Sequence, residues 1–127
     1  QYAFGRIEQV VTPGPGRIES DCPISVQCGG CCFRHISYPA ELAAKEGFVR
    51  DALSRIGKLE TSIAPILPSP VEQRYRNKAQ FPVAQSKDGG LAFGLYASRS
   101  HRVIPCANGL LQPDIINRIA ARAAELL

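Results

Sequence analysis

Three cysteines stand at C-x5-C-x2-C spacing in Cys22-Pro-Ile-Ser-Val-Gln-Cys28-Gly-Gly-Cys31, with a double glycine between the last two. Thiolates gathered this tightly are a natural ligand set for a metal centre. Wrapping the backbone around one centre calls for φ values that a Cβ resists, and Gly29 and Gly30 are expected to supply that freedom. Cys32, Phe33, Arg34 and His35 follow Cys31 at once, so supporting or alternative ligands lie in the same loop. The competing reading is that the cysteines simply pack, since free cysteine is among the most buried residue types. Packing alone does not ask for C-G-G-C.

Three chemistries compete for these thiols: an iron-sulfur cluster, a structural zinc and a disulfide. The chain has 127 residues, five cysteines and a net charge of +4, with a pI near 9.0. No apolar run approaches the roughly 20 residues of a membrane span, and no basic-then-apolar signal opens the chain. It therefore reads as cytoplasmic, with no membrane partner. In a reducing compartment clustered cysteines are more often metal ligands or catalytic groups than disulfides. Zinc usually takes two pairs of ligands; no second C-x2-C or H-x3-H pair occurs, and His35 and His101 are too scattered to make one. A cluster with a fourth thiolate from far along the chain fits better, and Cys106 is the one distant candidate.

The elements that would position these thiols read as an α+β fold: a cysteine-rich loop and long helix, then a small antiparallel β-sheet and a C-terminal helix. Tyr2 to Val11 reads as a strand, and Thr12-Pro-Gly-Pro-Gly16 is a boundary. For the main helix, Ser37 is the expected cap and Pro39 suits the first turn. Leu42, Lys45, Val49, Ala52, Leu53 and Ile56 form the expected buried stripe, and Gly57 ends it. Glu41, Glu46, Arg50, Asp51 and Arg55 read as its solvated face. Three prolines between Ile63 and Pro70 predict an extended linker. Strands are expected over Tyr75 to Gln85, Leu91 to Tyr96 and Arg102 to Cys106, the first two joined through Lys87-Asp88-Gly89-Gly90. The last helix, from Pro113, carries Ile115, Ile116, Ile119, Ala123 and Leu126 at helical spacing. An opening strand without a partner and a final helix without a stop signal read as a fragment of a longer protein.

Basic side chains concentrate in the expected sheet: Arg74, Arg76 and Lys78, then Arg99, His101 and Arg102, with Tyr75, Phe81, Phe93 and Tyr96 between them. Strand alternation would put Arg74, Arg76 and Lys78 on one face. Cations beside aromatics hold phosphates and stack bases, as single-stranded RNA recognition requires. A solvated sheet face is the plain alternative.

The order of these motifs carries a resemblance. C-x5-C-G-G-C, His35, Ser37-Tyr38, Lys45, Val49-Arg50-Asp51-Ala52-Leu53 and Ile56-Gly57 come first. Tyr75-Arg76-Asn77-Lys78, Phe93-Gly94, Ser100-His101 and Leu111-Gln112 follow. Together they resemble the S-adenosylmethionine-dependent RNA (uracil-5-)methyltransferases, which make 5-methyluridine in ribosomal or transfer RNA. The resemblance implies that residues 1–16 end an N-terminal OB-like RNA-binding domain. Residues 17–127 would be a central region with a [4Fe-4S] cluster and an RNA-contacting sheet. The C-terminal Rossmann-like domain, which binds the methyl donor and supplies the catalytic cysteine and base, has no counterpart here: no G-x-G-x-x-G turn occurs.

The resemblance assigns Cys22, Cys28 and Cys31 as the first three cluster ligands. The family's fourth ligand tends to precede a stretch like Leu110-Leu111-Gln112, where this chain has Gly109. Cys106 is then the expected substitute, with Cys32 or a three-thiolate site as the alternatives. Arg74, Tyr75, Arg76, Lys78, Arg99 and His101 are the candidate RNA contacts. The cluster is expected to be structural, because methyl transfer by a thiolate mechanism moves no net electrons. Cys32 and Cys106 are not in a donor-binding context, so no catalytic residue is assigned. The chain alone is expected to be inert, with S-adenosylmethionine bound only by the parent enzyme. A stand-alone metal-binding RNA-recognition module and a redox sensor are the alternative functions. Apolar surface left by the missing parts would let the fragment dimerise.

Overall fold

Leu91-Ala-Phe-Gly-Leu-Tyr96 is the central strand of a three-stranded antiparallel sheet in the computed structural model, which describes every residue except Gln1, Phe4, Arg6, Lys87, Asp88 and Leu127. In chain order the elements are α1 (Tyr38–Asp51), a π-helical turn (Ala52–Ile56), β1 (Val83–Gln85), β2 (Leu91–Tyr96), β3 (Val103–Pro105) and α2 (Asp114–Leu126). The α+β arrangement is the one expected. β1 covers only the start of β2, with Val83 opposite Phe93 and Gln85 opposite Leu91. β3 pairs with its second half, Gly94 opposite Pro105 and Tyr96 opposite Val103. The loop between β1 and β2 closes through Ser86 and Gly90, with Gly89 at φ 90°, the left-handed conformation glycine adopts freely. The expected Lys87-Asp88 half of that turn lies outside the described residues.

Two expected strands are corrected. Tyr2 to Val11 forms no strand among its described residues, and those residues are exposed. The long strand from Tyr75 shrinks to the three residues of β1. Arg74 sits at φ 58°, which breaks the two-residue alternation of an extended strand. The amides of Arg74 and Arg76 donate to the consecutive carbonyls of Leu110 and Leu111 at 2.8 and 2.9 Å, which no regular ladder does. Arg74, Arg76 and Lys78 therefore do not share a strand face.

Helix α1 begins where expected, with Ser37 at the N-cap and proline in its first turn, but the Ser37 side chain makes no capping bond. Its amide instead donates to Gly16 O at 2.8 Å. The expected buried stripe is also corrected: α1 and the π turn bury no residue, and Val49 and Ile56 are 52% and 83% exposed. Lys45 is exposed too, paired with Glu41 and 5.8 Å above the Phe33 ring. The charged face behaves as expected, with Glu46–Arg50 at 2.7 Å and Asp51–Arg55 at 3.7 Å one helical turn apart. The proline linker runs back along α1, where the Ser69 amide donates to the Tyr38 hydroxyl at 2.6 Å.

Helix α2 packs on β2 in a shifted phase. Ile116, Asn117, Ala120, Ala123 and Ala124 are covered, whereas Ile115, Ile119 and Leu126 of the expected stripe are exposed. The buried apolar residues are few: Ala97, Ile104 and Leu111, beside the polar Gln112 and Asn117. No helix of the described residues is long and apolar enough to cross a membrane.

Candidate metal centre

The cysteine loop is closed at its base by a bridge between Arg17 and Ile36, with Ile18 N donating to His35 O at 3.1 Å. Inside it, Ser25 N bonds Cys22 O at 3.1 Å and Cys28 N bonds Ile24 O at 2.8 Å, a tight turn that brings Cys28 back toward Cys22. The loop then lies against the end of β2: Cys28 bridges Ala97, and Gly29 N donates to Tyr96 O at 2.9 Å. This contact explains the glycines better than backbone freedom does. Neither has a positive φ, but a Cβ on Gly29 would stand 2.8 Å from Tyr96 O and 3.1 Å from Ser98 N. One on Gly30 would stand 2.7 Å from Leu95 Cδ1 and 3.4 Å from the Cys28 sulfur. The double glycine is there so that the thiol loop can touch the sheet. Gly29→Ala should therefore cost about 1–3 kcal/mol, the usual range for forcing an atom into a filled site; a urea midpoint unchanged from wild type would contradict this.

Cys106 reaches the same place from the other side of the sequence. It follows β3, and its amide donates to Phe93 O on β2 at 3.1 Å. Burial raises the Cys106 thiol pKa, and charge repulsion from Cys28, Cys22 and Cys31 raises it further, against a lowering hydrogen bond from the Asn108 backbone. Burial likewise raises Cys31, with Cys28 and Cys22 adding to it, while Arg34 opposes through charge and hydrogen bonding. Each of these groups thus lies within the others' electrostatic reach. Cys22, Cys28, Cys31 and Cys106 are all half-buried and unpaired by disulfide, whereas Cys32 is exposed. Among the described residues no group of three or more histidine, cysteine, aspartate or glutamate side chains is gathered so as to hold a metal ion. The thiols are neighbours without converging on one point.

A polar network fixes the segment beyond Cys106. Asn117, on the buried face of α2, accepts from Gly109 N at 3.2 Å and Gln112 Nε2 at 2.7 Å. It donates to Gly109 O at 3.0 Å and Asn108 Oδ1 at 3.4 Å. A Cβ on Gly109 would lie 2.1 Å from Gln112 Nε2. A fourth cysteine at this position would require the Gln112 side chain to move; Cys106 lies three residues earlier, just after β3. Asn117 was not singled out in the sequence. The available signal was a lone amide between Ile116 and Ala120 on a helix.

The candidate RNA contacts fall into separate groups. Arg74 is ion-paired with Asp114, in the first turn of α2, so its charge is already matched. Tyr75 and Arg76 line a cavity of about 430 Å3 together with Cys31, Arg34, Tyr38 and Lys45. Arg76 also borders a neighbouring hollow with Lys78 and Phe81. Arg99, at φ 55°, and His101 sit on the turn between β2 and β3, beside Gly29. The His101 ring stands edge-on to Tyr96 at 5.6 Å.

No protein-family model matches the chain. Curated relatives do. The chain is 40% identical over 126 residues, 98% of its length, to an uncharacterized RNA methyltransferase of Halalkalibacterium halodurans. It is 36% identical over 127 residues to another of Gloeobacter violaceus, and 35% identical over 128 residues to one of Thermosynechococcus vestitus. These alignments cover 99% and 100% of this chain. Over nearly its whole length the chain is thus similar to proteins named RNA methyltransferases. It spans 27% to 28% of the length of these relatives. The aligned segment contains both the cysteine loop and Cys106, the two parts that β2 brings together.

Proposed function

We propose that this chain is the cluster-bearing, RNA-positioning central region of an S-adenosylmethionine-dependent RNA uracil-C5 methyltransferase acting on ribosomal or transfer RNA. The observation that carries the reading is the seating of the cysteine loop and of the segment entering Cys106 on the same strand, β2, in a chain similar throughout to proteins named RNA methyltransferases. The donor set fits a [4Fe-4S] cluster, which takes four cysteine thiolates, each on its own iron, and does not need donors that meet at one atom. When bound, the cluster supplies a cross-link between the cysteine loop and the sheet. Cys22, Cys28, Cys31 and Cys106 would hold it. The methyl donor and the catalytic groups belong to the C-terminal part of the parent enzyme, and the segment described here is inert by itself.

RNA is the partner this reading requires. Arg76, Lys78 and Tyr75 on one side, and Arg99 with His101 on the other, are the contacts it assigns. Arg74 belongs to it only at the cost of its bond with Asp114. The reading is tested by incubating the full-length protein with S-adenosylmethionine and unmodified ribosomal and transfer RNA, then analysing nucleosides by mass spectrometry. Formation of 5-methyluridine is the expected result; methylation at any other atom would overturn it. In the same protein, Arg76→Ala and Lys78→Ala should each weaken RNA binding and reduce the slope of log affinity against log salt by about 1. Unchanged slopes would return these side chains to a solvated surface.

A further inference from the structure

The segment 72–76 is held on two sides. Gln73 Nε2 donates to Asp21 Oδ2 at 2.9 Å, and the amides of Arg74 and Arg76 donate to the Leu110 and Leu111 carbonyls. Its exposed side chains Glu72, Tyr75 and Arg76 are therefore presented from a fixed backbone. All three border the cavity of about 430 Å3 between this segment, the cysteine loop and the start of α1. Arg76 is shared with the second hollow, of about 440 Å3, which Lys78 also borders.

The two hollows differ in charge. Among the described residues the second is bordered by two cations and no carboxylate, and neither Arg76 nor Lys78 is in an ion pair. In the first, Glu41 is matched by Lys45 and Asp21 by Arg34, which leaves the carboxylates of Glu19 and Glu72 with Arg76 as the one unmatched cation. A phosphate is repelled by the first hollow and drawn to the second. The aromatic groups of the first cavity differ in the same way. Phe33 is engaged with Phe48 at 6.5 Å and with Lys45, and the Tyr38 hydroxyl accepts from Ser69 N. Tyr75 is 54% exposed and makes no ring contact with another described residue, so its ring is open to stacking.

A carboxylate accepts hydrogen bonds through two oxygens and donates none. Guanine alone among the RNA bases carries two adjacent donors, N1–H and the N2 amino group, on its Watson–Crick edge. The other three offer one donor beside an acceptor, whose lone pair the second carboxylate oxygen repels. We propose that the first cavity takes one unstacked guanine of single-stranded RNA: the base stacks on Tyr75, N1–H and N2–H donate to the Glu72 carboxylate, and the nucleotide's phosphate lies on Arg76 and Lys78 at the second hollow. This rests on RNA being the partner, as proposed above. The guanine is a positioning base, distinct from the uracil that the same reading gives to the C-terminal part of the enzyme.

The experiment measures binding of the full-length protein, by fluorescence anisotropy at fixed salt, to short oligouridylates with a central guanosine, inosine, adenosine or uridine. Ribosomal and transfer RNA are measured beside them. The guanosine oligomer should bind about tenfold more tightly than the adenosine and uridine ones, the discrimination a bidentate base contact gives. Inosine lacks the N2 amino group and should lose most of that advantage. Glu72→Gln exchanges one acceptor oxygen for a donor on an exposed side chain and should bring the guanosine-to-adenosine ratio to about one. Equal wild-type affinity for guanosine and adenosine overturns the proposal, as does inosine binding as tightly as guanosine. A guanosine preference that survives Glu72→Gln overturns it too, since another group would then read the base. If no oligomer binds while ribosomal or transfer RNA does, the proposal fails and the RNA reading stands. If no RNA binds at all, both fall.

Discussion

Cys106→Ser is expected to take the anaerobically purified protein from about four irons per chain, the content of one [4Fe-4S] cluster, to nearly none, whereas Cys32→Ser leaves its iron content unchanged. The two cysteines differ in surroundings and not in chemistry. Cys106 is half-buried, held to β2 through Phe93 O, and feels the charges of Cys28, Cys22 and Cys31. Cys32 is adjacent to Cys31 in sequence yet exposed. Burial raises Cys31 and Cys106, and the neighbouring cysteines add to it, so as ligands these two would give up their protons only to a bound cation. Iron, sulfide and visible absorption measured on both variants decide the assignment. Full iron in Cys106→Ser together with loss in Cys32→Ser would move the fourth ligand into the loop. Zinc, or no metal in the wild type, would remove the cluster altogether.

What the sequence disclosed depended on how local the cause was. β2 was legible to the residue, because Leu91 to Tyr96 is a short apolar run bounded by Gly89-Gly90 and by Ser98 to Ser100. The bounds of α1 were nearly so, given Pro39 near its start and Gly57 past its end. Cys106 stood out by scarcity, as the one cysteine away from the loop, and the structure shows where it sits, just after β3 with its amide on Phe93 O. What failed was tertiary. Nothing local announces that Arg74 takes a left-handed conformation, so the Tyr75 strand was drawn too long. Helical spacing marked α2 as amphipathic but set its phase by its isoleucines. The sheet selected the phase that buries Asn117, because the loop after β3 carries backbone groups that only an amide on that face satisfies. The double glycine was noticed for its flexibility, and its actual cause is the closeness of β2. A spacing pattern shows that small residues are needed there, not what they make room for.

Asn117→Leu should be the most destabilising single change outside the cysteines, by about 3 kcal/mol or more, and should also lower the iron content. The estimate follows from what the amide leaves behind. Its loss strands the Gly109 N–H, the Gly109 carbonyl and one Gln112 N–H in a buried setting, and each buried unsatisfied group costs about 1–3 kcal/mol. Part of this cost is recovered if water enters, so a sum of the upper values would overshoot. Leucine has as many side-chain heavy atoms as asparagine but is bulkier, so no cavity forms and any crowding adds to the cost. Urea unfolding of the full-length protein measures the effect, read as a lower midpoint at unchanged slope. The iron content follows because Gly109 is only three residues from Cys106, and the network is what holds the chain between Cys106 and α2 on its course. The same geometry forbids a simple rescue. In the double variant Cys106→Ser, Gly109→Cys, a thiol stands where the family's fourth ligand was expected, but its Cβ would have to displace Gln112 Nε2 from 2.1 Å away and so dismantle the Asn117 network. That protein should hold no more iron than Cys106→Ser alone. Recovery of full iron would mean that the segment after β3 can be rebuilt around residue 109, and that Cys106 is one of two workable ligand positions.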